Sequence, residues 1–227
     1  MYWAVSSDIN KRIKKRQLEN CRTNPPLFQE AYIDPSKIKE FTRRPVPFWR
    51  RKWSDYGNIR KGEWDVRSCH AYKPNYESKE WHETRRPSVN YNQSVFHQSM
   101  IDRYKRGKSW EETEHFKLSL NRVNEGHYTW DGCSNKEDLL GKGEKVDRLF
   151  HEIKNNGYKP QKQIRNRFRK AIINEVMIDL GRENKPLFVD GRHRLSIAKI
   201  LEIDKIPVQI CVKHELCPSI ECGLHLS

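Results

Sequence analysis

The sequence has little of several features that define common protein classes. Only 35% of its 227 residues are hydrophobic, and no apolar run approaches the roughly 20 residues that a membrane-spanning helix needs. Its six cysteines include no CxxC pair, and a reducing compartment would keep them as free thiols. The first residues lack an apolar stretch of signal-peptide length. We therefore expect a cytoplasmic protein that makes no membrane contact.

One group of potential zinc ligands lies near the C-terminus, in HELCPSIECGLH. His214, Cys217, Cys222 and His225 would have to surround the ion, but their spacing matches no common zinc finger. We predict that this segment, residues 214–227, is a tail that binds no metal.

The chain is strongly basic. Its 44 Lys and Arg residues exceed its 30 Asp and Glu residues, which gives a formal net charge of +14. It also carries 7 Trp, 9 Tyr and 8 Phe residues, more aromatic character than a disordered chain has. This composition favours an anionic partner, such as nucleic acid, a nucleotide or another phosphorylated molecule. The alternative is a basic protein whose charges are only solvated.

Composition divides the chain into five parts. Residues 1–30 are basic and amphipathic, which predicts a helix that ends at TNPP. Residues 31–41 predict a short opening strand followed by a turn. A long insertion at 42–130, rich in aromatic and basic residues, should be largely irregular with some helices. Residues 131–213 form the regular core, and 214–227 form the tail.

Two capping boxes predict helices in the second half of the chain. SWEE at 109–112 and SNKE at 134–137 each place a Glu three residues after a Ser, so that each side chain can cap the other residue's backbone N–H. In the second helix, Gly141 and Gly143 predict a break, and Gly157 predicts the end of the helix.

Three strands and another helix are predicted after this point. NEVMIDLG and PLFVDG are apolar runs joined by the polar turn RENK, and KIPVQICVKH reads as a final strand. Between them, RLSIAKILEI has the apolar spacing of a helix that packs on a sheet. The order helix–strand–strand–helix–strand predicts an α/β (α+β) fold.

The string FVDGRHRLSIAK concentrates charge where a strand passes to a helix. Gly191 allows a positive φ or a close approach to a ligand, and the free N–H groups of a helix start attract anions. His193 and Arg194 in the first turn would add a cationic cradle for phosphate. Arg192 crowds the same turn, and Asp190 would orient one of these side chains or help to hold a metal ion. The alternative is an ordinary helix start, with Asp190 as N-cap and the cations solvated.

Taken in order, IDPSKIKEF, KVDRLFHEIKNNGYKPQ, EVMIDLG and LFVDGRHRLSIAKILEIDKIPVQI resemble the ParB/sulfiredoxin superfamily. The similarity is continuous over residues 144–213 and includes an opening piece at 33–41, with a long aromatic and basic insertion between the two. It implies a core with a small mixed sheet flanked by helices.

The resemblance implies a nucleotide-phosphate cradle at the charged junction. Gly191, His193 and Arg194 match the phosphate-contacting positions of the family. Lys145 and Arg148 fall on the preceding helix, where relatives place residues that help to hold the phosphates.

One residue separates the chain from a known branch of the superfamily. Arg192 stands where sulfiredoxins carry their reactive cysteine, so sulfinic-acid reduction is not expected, and Arg192 joins the cradle as a further cation. The string also departs from the GERR motif of chromosome-partitioning proteins, and the residues after the last strand are too few for a helix-turn-helix domain. DGRHR is closer to the DGHHR form of free-serine kinases and uncharacterised relatives.

The first functional hypothesis is a nucleotide-dependent phosphotransferase that acts on a small hydroxylated molecule. Its cofactor would be a nucleoside di- or triphosphate with Mg²⁺, because phosphoryl transfer needs mainly positioning and charge neutralisation. A carboxylate must accept the hydroxyl proton. The kinase relatives imply Glu40 for this role, and Asp190 is a second acidic candidate.

The alternative hypothesis is a DNA-associated protein, a binding protein before a nuclease. The run RNRFRK interleaves basic residues with an aromatic ring, which would follow phosphates and stack on bases. The residues concerned are Arg165, Arg167, Phe168, Arg169 and Lys170. A third hypothesis is a domain that binds a nucleotide without chemistry.

Overall fold

The structure, a computed structural model, describes four stretches of the chain: residues 29–43, 58–66, 90–164 and 174–217. The predicted basic N-terminal helix and the basic run from Arg165 to Lys170 lie outside these stretches. Most of the C-terminal tail also lies outside them.

Secondary structure in the described residues is mixed. The strands are β1 (Gln29–Ile33), β2 (Glu40–Phe41), β3 (Asn58–Arg60), β4 (Val176–Leu180), β5 (Pro186–Asp190) and β6 (Ile206–His214). The helices are α1 (Val95–Tyr104), α2 (Glu114–Asn124), α3 (Lys136–Asn156), α4 (Gln161–Ile164) and α5 (Arg192–Ile200). Short 3-10 turns lie at Pro35–Lys37, Tyr91–Gln93 and Arg182–Asn184.

The strands form one mixed sheet in the order β1-β6-β4-β5-β2, with β3 also paired to β6. β4 and β5 are the antiparallel hairpin predicted around RENK, and β4 runs parallel to β6. The helix α5 connects β5 to β6, as the sequence pattern predicts. The predicted α/β fold is therefore confirmed.

Residues 31–41, read from the sequence as a short strand followed by a turn, contain the end of β1, a turn and a second strand, β2. β1 lies antiparallel to β6, whereas β2 lies parallel to β5 at the other edge of the sheet. The chain turns at Asp34, whose side chain accepts a hydrogen bond from the backbone N–H of Ser36 at 2.7 Å. Pro35 follows Asp34 and has no N–H for a strand ladder. This turn carries β2 to the strand that ends at the charged junction.

The first predicted helix begins later than its capping box indicates. Ser109 does bond Glu112, through its N–H at 2.7 Å and its hydroxyl at 2.8 Å. This box, however, closes a separate turn. The helix α2 begins at Glu114, where the side chain of Thr113 is the cap.

The cap of α3 also differs from the predicted pair. Asn135 is the N-cap and accepts from the backbone N–H of Asp138 at 2.8 Å. Ser134 bonds the carboxylate of Asp138 and not that of Glu137. Either pairing satisfies backbone N–H donors at the helix start. The local pattern therefore predicted the position of the helix correctly but not which residues cap it.

The predicted break in α3 does not occur. The helix is continuous through Gly141 and Gly143 and ends at Gly157, as predicted. Gly143 lies under the indole of Trp110, where a Cβ would be 2.6 Å from the ring carbon Cδ1. This glycine is present because the tryptophan needs the space.

The core has two main layers. One cluster lies between the sheet and α5 and includes Ile178, Phe188, Leu195 and Val208. A second cluster joins α1, α2, α3 and the outer side of α5, with Ile197 among its buried residues. In the described stretches, no helix has the length and apolar character required to cross a bilayer.

The contact between Gly143 and Trp110 gives a stability prediction. Gly143→Ala should lower the free energy of unfolding, because overpacking costs about 1–3 kcal/mol and helix propensity returns at most about 1 kcal/mol. Gly141→Ala is the matched control. A Cβ there meets nothing within 4 Å, so this change should raise stability by up to about 1 kcal/mol. Urea unfolding of both variants measures these changes. Free energies of unfolding that shift in the same direction for the two variants would contradict the assignment.

Candidate functional site

The junction between β5 and α5 is built around Gly191. Its φ is +90°, and a Cβ would lie 2.8 Å from the backbone Cα of Val176 on β4. Both facts require glycine. The side chain of Asp190 accepts from the N–H of Gly191 at 2.8 Å, and α5 has no side-chain N-cap bond. Asp190 is therefore not the N-cap, and the start of α5 lies directly against β4.

A tight loop at residues 129–133 lies against this helix start. Thr129 and Cys133 exchange backbone hydrogen bonds at 2.9 and 2.7 Å. Between them, Trp130, Asp131 and Gly132 all have positive φ values, of 36°, 62° and 101°. Two consecutive non-glycine residues in this region indicate a loop that the surrounding structure holds in a strained conformation.

The loop contacts His193 through Trp130. The indole N–H of Trp130 donates to Nε2 of His193 at 3.2 Å, so this ring nitrogen must be unprotonated in that bond. Trp130 is buried, and the ring of Phe96 on α1 packs edge-on against His193 at 5.1 Å. His193 is thus oriented by two aromatic neighbours.

The same loop supplies a carboxylate to the cations of the site. Oδ1 of Asp131 lies 3.6 Å from Nη2 of Arg192, and Oδ2 lies 2.8 Å from Nζ of Lys142 on α3. The guanidinium of Arg192 also lies over the ring of Phe96 at 4.6 Å. Burial of the Asp131 carboxyl raises its pKa, but the charge of Arg192, that of His193 when its ring is protonated, and that of Lys142 prevail and hold the pKa well below its usual range.

Arg194 has a different environment from the other two junction residues. It is 5% exposed, and its Nε donates to the hydroxyl of Tyr158 at 2.9 Å while Nη2 donates to the carbonyl of Lys159 at 2.6 Å. Nη2 is also 3.4 Å from the buried carboxylate of Glu175. These contacts tie α5 to β4 and to the end of α3. They do not favour Arg194 as the phosphate ligand that the resemblance implies.

The structure also separates the two predicted residues of α3. Arg148 is 68% exposed on its side chain and pairs with Glu144 at 3.8 Å. Its position on the helix is opposite the buried stripe that includes Val146 and Phe150. Lys145 is exposed, and its charge acts on Cys133 of the loop.

Sequence reasoning missed the residue of α3 that does contact the site. Lys142 lies one turn before Lys145, so the helical spacing of the basic residues was the available signal. Asp131 was missed as well, because its partner Arg192 is far away in the sequence.

Glu40, the predicted catalytic base, is neutralised by two cations. Its carboxylate lies 2.6 Å from Nζ of Lys185 and 3.3 Å from Nη2 of Arg43. The hydrogen bond from Lys185 is the main reason that the pKa of Glu40 is lowered. On β2, Glu40 lies beside Leu187, three residues before Asp190 on β5. A carboxylate with this pairing is a weak general base.

Comparison with known proteins identifies no relative. No family model, curated protein or solved structure matches the chain. The resemblance to the ParB/sulfiredoxin superfamily therefore stays a prediction from the motif. Among the described residues, no group of three or more His, Cys, Asp or Glu side chains is arranged to hold a metal ion.

The contacts of Arg194 predict a large structural effect. Arg194→Met should lower the free energy of unfolding by about 3–5 kcal/mol, because it leaves Glu175 buried without its cation. In the double variant with Glu175→Gln, part of that loss should return, since no charge is then left unpaired. Urea unfolding of the wild type, both single variants and the double variant measures this coupling. Arg148→Met is the exposed control and should stay within about 0.5 kcal/mol; a similar loss there would contradict the assignment.

The position of Asp131 predicts a pH dependence of stability. Asp131→Asn should cost about 1 kcal/mol at pH 7, the order of a partly exposed ion pair. Folding lowers the pKa of Asp131, so its contribution is present above the unfolded pKa and is lost as the pH falls below about 4. In urea unfolding, the stability difference between variant and wild type should be constant above about pH 5 and shrink progressively as the pH falls below about 4. Glu144→Gln, an exposed acid paired with Arg148, is the control. A difference for Asp131→Asn that is constant with pH would refute this role.

Proposed function

We propose that the chain binds the phosphates of a nucleoside di- or triphosphate at the start of α5. The observation that carries this proposal is the convergence on one carboxylate of Arg192 from α5 and Lys142 from α3. Together with His193, these side chains surround a helix start whose own dipole favours negative charge. In the free protein, the carboxylate of Asp131 occupies the position that we propose for the phosphate.

A phosphate would replace Asp131 without leaving cations unpaired. Arg192 is largely desolvated, with a side chain 12% exposed, so it needs an anionic partner in the free and in the bound state. Lys142 and Asp131 are more accessible, at 24% and 28%, which gives an incoming anion a route to the cluster. Exposed Lys145, one turn further along α3, adds charge at the entrance.

The nucleoside part of the ligand has a candidate contact beside this cluster. Tyr128 directly precedes the 129–133 loop, and 73% of its surface is exposed. An exposed aromatic ring is a stacking surface for a base, worth about 1–3 kcal/mol where stacking occurs. Its proximity in sequence to Asp131 favours a nucleotide over inorganic phosphate alone.

Mg²⁺ would be held mainly by the nucleotide. The described residues offer single carboxylates with partners of their own, such as Asp131 and Asp190, and no group of three or more acidic side chains arranged to hold a metal ion. This agrees with the usual behaviour of Mg²⁺, which binds through phosphates and water with one or two carboxylates. When bound, the ion would supply neutralisation of phosphate charge.

The proposal is limited to binding. Phosphoryl transfer to a hydroxyl group requires a base, and Glu40 is paired with Lys185 and Arg43. The transferase activity that the resemblance implies therefore gains no support from the geometry of this residue.

Calorimetric titration with ATP, ADP, CTP and GTP, each with and without Mg²⁺, tests the proposal. We expect one nucleotide to bind, and Lys142→Met to weaken it about tenfold or more, as expected when a charged contact of about 1.5 kcal/mol is lost. Arg148→Met removes an exposed cation of α3 that pairs with Glu144; it is the matched control and should bind as the wild type does. Asp131→Asn should bind more tightly, because it removes the competing carboxylate.

Two outcomes would overturn this proposal. One is the absence of binding by any nucleotide to a folded wild-type chain. The other is binding that Lys142→Met and Arg148→Met weaken equally, which would mean general attraction to a basic surface. A salt-titrated DNA-binding assay on the same samples distinguishes the second outcome, because phosphate-backbone binding falls steeply with salt.

A further inference from the structure

A second candidate site lies at the other end of α5. A pocket with a volume of about 690 Å³ opens between the end of α5, the start of α1 and the turn after β1. This volume lies in the range of small-molecule sites. Charged residues from three directions line it, together with apolar side chains such as Ile101 and Ile203; the charged ones include Asp34, Lys39, Lys199 and Glu202.

Lys199 is the only cation of this pocket that is carried by α5. It is partly buried, and its Nζ lies 5.7 Å from the centre of the Tyr91 ring. Within the part of the chain that the structure describes, its side-chain amine makes no hydrogen bond or ion pair. Burial, and to a smaller extent the nearby charge of Lys39, favours the neutral amine, although Asp34 opposes this; the pKa of Lys199 is lowered to about 8.

The wall of the pocket beside Lys199 is polar but carries no positive charge at neutral pH. The Nδ1 atom of His97 lies 3.0 Å from the hydroxyl of Ser196, which lies 2.9 Å from the hydroxyl of Tyr91. Burial, followed by the charge of Lys199, lowers the pKa of His97 to about 4, so at neutral pH this ring adds no positive charge. The amine of Lys199 is thus partly buried and lines the pocket. Its neighbours there are the neutral ring of His97 and the hydroxyl groups to which that ring is connected by hydrogen bonds.

We propose that Lys199 is a nucleophilic lysine that forms an imine with a small aldehyde or ketone bound in this pocket. The neutral amine attacks the carbonyl carbon and forms the C–N bond of a carbinolamine. The carbonyl oxygen then leaves as water with the two amine protons, and a C=N bond remains. The step requires no oxidant or reductant, and water reverses it. This inference does not depend on the proposed nucleotide site.

Reductive trapping on the native chain tests the proposal. Benzaldehyde is added with cyanoborohydride at pH 7, and peptide mass mapping gives the labelling rate of each amine. An amine with a pKa near 8 is about one-tenth unprotonated at this pH, against fewer than about one in a thousand for an ordinary lysine. We therefore expect Lys199 to be labelled at least about tenfold faster than the exposed Lys117 of α2. The α-amino group of the chain, which has a similar ordinary pKa, is the internal reference.

Two controls separate the pocket from general lysine reactivity. In urea, the ratio of Lys199 to Lys117 labelling should fall to about one, because unfolding removes the pocket. In the folded Lys199→Arg variant, the fast label should disappear while labelling of the α-amino group is unchanged. Equal labelling of Lys199 and Lys117 in the native wild type, a result that needs no variant, would overturn the proposal.

Discussion

The contact between Gly191 and the backbone of Val176 fixes where α5 begins, and the position of every candidate group on α5 depends on it. A side chain at Gly191 would collide with β4, and its φ of +90° suits glycine alone. With its start fixed in this way, the helix distributes successive residues among different neighbours. Arg192 and His193 face the 129–133 loop, whereas Lys199, two turns later, faces the pocket beside α1.

Three adjacent side chains with cationic character are compatible because each has a separate environment. Arg192 pairs with Asp131 of the loop, and Arg194 pairs with Glu175, the residue immediately before β4. His193 accepts a hydrogen bond at Nε2 and therefore need not carry a charge. Repulsion within the first turn of α5 is thus offset by contacts with distant parts of the chain. The charge cluster that indicates a ligand site in the sequence is, in the free protein, largely neutralised from within.

Local patterns predicted the parts of this arrangement that local physics decides. The apolar runs of β4, β5 and β6, the helical spacing of α5 and the glycine at position 191 all follow from periodicity and backbone sterics. Two ion pairs join residues that are far apart in the sequence: Asp131 with Arg192, and Glu175 with Arg194. No periodic pattern predicts such pairs. At Gly143 the local pattern gave a wrong prediction. Its low helix propensity predicted a break, but packing against Trp110 keeps the helix continuous.

The 129–133 loop determines how an anion would enter the site at α5. Its two non-glycine residues with positive φ, Trp130 and Asp131, each cost about 1 kcal/mol or more, which burial of the indole and the pairs of Asp131 offset. A phosphate would replace only the pairs of Asp131, since Trp130 stays packed among the helices and bonded to His193. Entry therefore needs the Asp131 side chain to turn outward, not the helical layer to open. Because the proposed ligand would have to displace a carboxylate that already pairs with two cations, a di- or triphosphate would have the advantage over an anion with a single charge.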